Sequence, residues 1–77
     1  MESNTTRLFA VIPEGLIFDL YRELDSLTLT SLQKDTIIRL NRTSFSRQYN
    51  IDEEDVCIIE ADMMGIVINK HYPPAEG

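Results

Sequence analysis

The stretch Asn50-Ile-Asp-Glu-Glu-Asp-Val-Cys-Ile-Ile-Glu-Ala-Asp-Met-Met-Gly-Ile-Val-Ile-Asn-Lys70 decides how the rest of the chain can fold. It holds two short apolar runs, residues 56–59 and 66–68, joined by a connector that ends in Gly65. Two runs rich in β-branched residues, separated by a polar break with glycine, read as a β-hairpin. Neither run alternates between apolar and polar residues, and strands of that kind are usually covered on both faces. A chain of 77 residues sits near the lower limit for a single unaided core, so it has little with which to cover two faces.

Upstream, Arg7-Leu-Phe-Ala-Val-Ile12 reads as a strand stopped by Pro13, since the residue before a proline is pushed to extended geometry. Leu8, Ala10 and Ile12 form its inward set; Arg7, Phe9 and Val11 point outward. Pro13-Glu14-Gly15 then predicts a helix start, because proline is tolerated in a first turn and an acid favours the positive end of the helix dipole. Leu16, Ile17, Leu20, Tyr21, Leu24 and Leu27 supply one stripe at helical spacing, with Asp19, Arg22, Glu23, Asp25 and Ser26 opposite. Thr30 or Ser31 would cap a second helix lined by Leu32, Thr36, Ile37, Leu40 and Ser44, with Ile38 and Phe45 to the side and Asn50 as its stop. Its rival is a hairpin of residues 27–30 and 36–40. The expected fold is a small single α+β domain over residues 1–77, ordered β-α-α-β-β. Two helices lie on one face of a three-stranded, mainly antiparallel sheet, and the ends, 1–5 and 71–77, are mobile.

Apolar and charged fractions of 43% and 26% are ordinary globular values and argue against wholesale disorder. A single cysteine excludes an intrachain disulfide framework and any CxxC pair. The acidic start Met-Glu-Ser-Asn-Thr-Thr lacks the pattern of a signal peptide. The longest apolar run, about five residues, falls short of the roughly 20 that span a membrane, so a cytoplasmic location is expected. Net charge is −6, which disfavours a protein coated in nucleic acid or anionic lipid. The charge is polarised: residues 31–50 carry Lys34, Arg39, Arg42 and Arg47 against Asp35 alone, while twelve of the thirteen acids lie elsewhere.

Cys57 and His71 are the only thiol and imidazole and together resemble a nucleophile and its base. Cys57 lies between Val56 and Ile58, however, where a buried inert thiol is the ordinary outcome. Asp52, Glu53, Glu54 and Asp55 offer oxygen ligands but lack the alternate spacing, central glycine and distal glutamate of an EF-hand. They read as a solvated acidic turn or as partners for basic side chains. No Gly-rich phosphate loop, G-x-S-x-G or H-E-x-x-H occurs. The expectation is a non-enzyme with no catalytic residues, metal, cofactor or small-molecule substrate.

Arg39, Arg42 and Arg47, interleaved with Thr36, Asn41, Thr43, Ser44, Ser46 and Gln48, are the kinds of side chain that contact phosphates and base edges. Over residues 6–41 the order of a strand, a Pro-x-x-Leu helix start and a hydroxyl-capped second helix is similar to ribbon-helix-helix repressors. In that family the outward side chains of the strand read the major groove. Phe9 and Val11, two of the three outward residues here, cannot hydrogen-bond a base, so the pattern does not establish membership.

Helices on one side of the sheet leave Phe9, Val11, Ile58, Ile66 and Ile68 for the other face, a patch of the size that marks an interaction site. Covering about 500–600 Å² of it is worth on the order of 10 kcal/mol before association entropy. Self-association, most often as a two-fold dimer, is the economical solution. Two function classes follow. One is a non-catalytic protein-interaction module, a homodimeric regulator, inhibitor or adaptor (a phage- or plasmid-type inhibitor among them) that occupies a partner protein's surface. It would use the apolar face and the charged set Lys34, Arg39, Arg42, Arg47, Asp52, Glu53, Glu54 and Asp55. The alternative is a dimeric DNA-binding regulator that uses the basic segment.

Overall fold

The computed structural model describes residues 5–25 and 27–73. Within them the chain forms strand β1 (Thr5–Val11), strand β2 (Ile17–Asp25), helix α1 (Ser31–Tyr49), a single 3-10 turn at Glu53–Asp55, strand β3 (Cys57–Ala61) and strand β4 (Val67–His71). The four strands make one sheet in the order β2-β1-β3-β4, with every neighbouring pair antiparallel. The α+β class stands, but with four strands and one helix where three and two were expected.

The difference lies in residues 13–25, expected as a helix and folded as the second arm of a hairpin. Gly15 takes φ +87° and donates its N–H to Ile12 O at 2.9 Å, while Ile12 donates to Leu16 O at 3.2 Å. This is the common three-residue hairpin connection with a glycine in the left-handed position. Pro13 fits either structure, because a helix start and the first corner of a turn both need its fixed φ. Phe18, Leu20 and Leu24 suit a strand as well as a helix, since their even spacing puts them on one face of a sheet. Residues 62–66 repeat the same connection, with Gly65 also at φ +87°, donating to Asp62 O at 3.0 Å. The hairpin expected around Gly65 is present. It also runs further than expected, since His71 belongs to β4; residues 1–4 and 74–77 of the expected mobile ends lie outside the described residues.

Helix α1 begins and ends where its capping residues place it. Thr30 Oγ1 accepts the Gln33 N–H at 3.1 Å and Gln33 Oε1 accepts the Thr30 N–H at 2.9 Å, a reciprocal capping box. Asn50, at φ 54°, closes the helix in the left-handed conformation. Its buried face differs from the expected stripe. Ile38, Arg42 and Phe45 turn inward, whereas Leu32 and Leu40 are exposed. An arginine in the centre of the buried face hides that face from any reading based on apolarity.

Thr6, Leu8, Ala10 and Ile12 alternate with Arg7, Phe9 and Val11, and the even set faces the helix. Leu8, Ala10, Leu24 and Ile58 from the strands, with Ile12 just after β1 and Val56 just before β3, pack with Ile38 and Phe45 from α1 into one core. Phe18, Phe45 and Tyr49 extend it as a three-ring cluster with centroids 4.7–5.4 Å apart. An added Cβ at Gly15 or Gly65 would meet no heavy atom within 4 Å, so only backbone strain opposes a side chain there. Gly15→Ala and Gly65→Ala should each lower unfolding free energy by about 1 kcal/mol in urea titrations. An unchanged midpoint in either variant would contradict the left-handed turn at that residue.

Candidate functional site

The face of the sheet turned away from α1 collects the residues left over from the core. In register across it, Arg7 lies opposite Ala61, Phe9 opposite Ile59 and Val11 opposite Cys57. The row extends to Ile17 and Asp19 on β2 and to Val67 and Lys70 on β4. The one helix packs on the other face, and the described residues contain no second helix or sheet to cover this one. Ile17 is 63% exposed and Val67 44%, Phe9, Val11 and Cys57 are half-buried, and Ile59 and Ala61 are buried at 9% and 2%. Arg7 pairs with Asp19 and places its guanidinium 5.6 Å from the Phe9 ring centroid, so the charges on this face are partly closed on themselves.

Of the five residues expected here, Phe9 and Val11 lie on this face. Ile58 does not: it is fully buried against the helix side, and Ile59, one residue on, takes the outer position. Period-two alternation requires one of the pair to point each way, and the parity of β3 is set by pairing Ile58 with the inward Ala10. Ile66 is exposed in the connection before β4. Ile68 is half-exposed at a register shift, where Glu60 faces Asn69 and Ala61 faces Val67.

The charged set divides. Arg39 and Arg47 are exposed on the helix, and Asp52, Glu53, Glu54 and Asp55 are exposed around the 3-10 turn, where Thr43 Oγ1 donates to Glu53 Oε1. Arg42 is not on the surface. It is 5% exposed and donates through Nε to Val56 O at 3.1 Å and through Nη2 to His71 O at 2.6 Å. Lys34 is also engaged, its Nζ 3.0 Å from Glu60 Oε2.

Sequence reasoning passed over Glu60, the least exposed charged or polar residue among those described. It is 1% exposed, on the helix-facing side of central strand β3. Thr6 Oγ1 donates to Oε2 at 2.8 Å, Lys34 shares that oxygen, and His71 Nε2 lies 3.1 Å from Oε1. Burial pushes the Glu60 carboxyl up, but the hydrogen bonds from Thr6, His71 and Lys34 outweigh it and hold the pKa at about 2. An acid directly after an apolar run, at the parity of buried Ile58, was the available signal. Cys57 and His71 lie on opposite faces of the sheet, so they do not form a nucleophile–base pair. Burial pushes the Cys57 thiol up, against the pull of Arg42 and Lys70. Among the described residues no three His, Cys, Asp or Glu side chains converge as a metal-binding group, and no helix is long and apolar enough to cross a membrane.

No protein-family model, curated protein or solved structure matches the chain.

The sign of the Glu60 linkage is definite. A carboxyl whose folded pKa lies below its usual value of about 4.3 stabilises the fold fully above that pH and loses the contribution as pH falls towards about 2. Urea titrations should therefore show stability dropping between about pH 5 and 2. Glu60→Gln should flatten that slope and cost roughly 2–3 kcal/mol at neutral pH, because Lys34 loses its buried counter-charge. Identical pH profiles for the two proteins would contradict the buried ion cluster.

Proposed function

We propose that the protein is a non-catalytic interaction module that pairs with a second copy through the outer face of its sheet. In that form it regulates, inhibits or adapts by occupying a partner protein's surface. The observation that carries this reading is the Phe9–Ile59 row, flanked by Val11, Cys57, Ile17 and Val67. It lies on the one face of the sheet that α1 leaves uncovered. Central apolar residues ringed by polar ones are the anatomy of an interface.

Charge supports a second copy as the occupant. The chain carries −6 overall, so most of its surface repels another copy. On the outer face, Arg7 and Lys70 nearly balance Asp19, Glu23 and Asp25. A two-fold axis near Phe9 would bring together two nearly neutral surfaces. The DNA-binding alternative needs Lys34, Arg39, Arg42 and Arg47 on one surface. Arg42 is committed to two backbone carbonyls and Lys34 to Glu60, which leaves Arg39 and Arg47 to offset a large negative field.

Sedimentation equilibrium at micromolar concentration should give twice 8.9 kDa for the parent chain. Phe9→Ser should give a folded monomer, with circular dichroism and core protection retained, because Phe9 is outside the core cluster. A parent chain that stays a monomer of 8.9 kDa throughout would overturn the reading.

A further inference from the structure

Strand β2 forms one edge of the sheet, and among the described residues no strand pairs with its free side. Along that edge, between β2 and α1, runs a groove in two stretches of about 420 and 490 Å³ that both reach Asn41. The first stretch is built on Phe18, Phe45 and Tyr49, and the second on Leu24, Leu29 and Leu40. Tyr21 stands at the mouth of the first stretch. It is 86% exposed and held at φ 55° where the β1–β2 register slips, its N–H donated to Asp19 Oδ1 at 2.8 Å.

We propose that this groove takes an extended, basic segment of a partner protein as an added strand along β2. The site is separate from the outer-face contact and does not depend on it. Four features converge on this occupant. A free strand edge offers unpaired N–H and C=O groups in the spacing that an extended peptide needs, and the adjoining apolar hollows receive alternate side chains. Along the β2 edge Glu23 and Asp25 stand on the outer side and Arg22 on the groove side, while Asn41, Ser44 and Gln48 on the helix wall are uncharged, so an added strand with lysines or arginines at its outward positions is favoured. A second copy's β2 would bring Glu23 and Asp25 towards their own equivalents, which disfavours edge-to-edge self-pairing. Finally, a tyrosine in left-handed backbone opposes folding yet sets an exposed ring over the groove. Strain of this kind gathers at binding sites, and tyrosine is among the commonest interface anchors.

Tyr21 also makes the proposal testable without loss of the fold. Glycine adopts φ 55° freely, so Tyr21→Gly relaxes the backbone while removing the ring. The experiment pans a displayed library of short random peptides against the folded full chain and against Phe9→Ser, then maps the enriched peptide by amide NMR. Enriched peptides should carry Lys or Arg, shift the amides of β2 together with Asn41 and Gln48, and bind Phe9→Ser as well as the parent. Tyr21→Gly should weaken that peptide about tenfold or more, and Glu23→Lys should weaken it most at low salt. The proposal is overturned if no peptide is enriched, if the shifts fall on Phe9, Val11 and Cys57 instead, or if Tyr21→Gly binds like the parent. It is equally overturned if β2 amides shift with protein concentration alone, which would assign the edge to a second copy.

Discussion

One helix cannot cover two faces of a sheet, and the described residues form one α-helix. Helix α1 lays Ile38 and Phe45 on the side made by Leu8, Ala10, Ile12 and Ile58. The outward residues of β1 and β3 are thereby left on the face opposite α1, where Ile59 and Ala61 are buried and Arg7, Phe9, Val11 and Cys57 stay half-buried. The part of that face open to water is Phe9, Val11, Cys57, Ile17 and Val67 beside Arg7, which is a poor composition for a surface meant to stay solvated. The proposed self-association follows from this shortage of covering structure.

The same economy explains why so small a core buries charge. Arg42 links the helix to the backbone of Val56, just before β3, and to His71 at the end of β4, while Lys34 links it to Glu60 in the middle of β3. The apolar contacts of Ile38 and Phe45 are non-directional, whereas these bonds fix where the helix sits along the sheet. No buried side-chain nitrogen or oxygen lacks a partner among the described residues, so the ion cluster is complete rather than half-satisfied. The basic character of residues 31–50 is therefore partly an internal device. Two of its four cations serve packing, and the surface field of the helix is weaker than its composition suggests.

What could be read beforehand was whatever depends on local chemistry. Thr30 with Gln33, Asn50, the alternation of β1 and the glycine-closed second hairpin were visible because each is decided within a few residues. The strand at 17–25 was not, because Phe18, Leu20 and Leu24 satisfy a strand parity while Leu20, Leu24 and Leu27 satisfy a helical stripe. Only Gly15, which the hairpin places at positive φ, separates the two, and Pro13 masks it by suiting both. The loss of that expected helix also removes the likeness to a ribbon-helix-helix protein, which required a helix there. The outer face was legible as a surplus of apolar residues. Its membership was not, because the choice between Ile58 and Ile59 depends on pairing with β1, and that register is a long-range fact.

In the proposed dimer the outer face of the sheet meets its own copy. Isotope-filtered NMR on an equal mixture of labelled and unlabelled chain tests it most directly, since only contacts between copies give signal. Intermolecular cross-peaks are expected from Phe9, Val11, Ile17 and Ile59. Their absence at micromolar to millimolar concentration, or cross-peaks confined to Leu32 and Leu40 on the exposed side of α1, would contradict it.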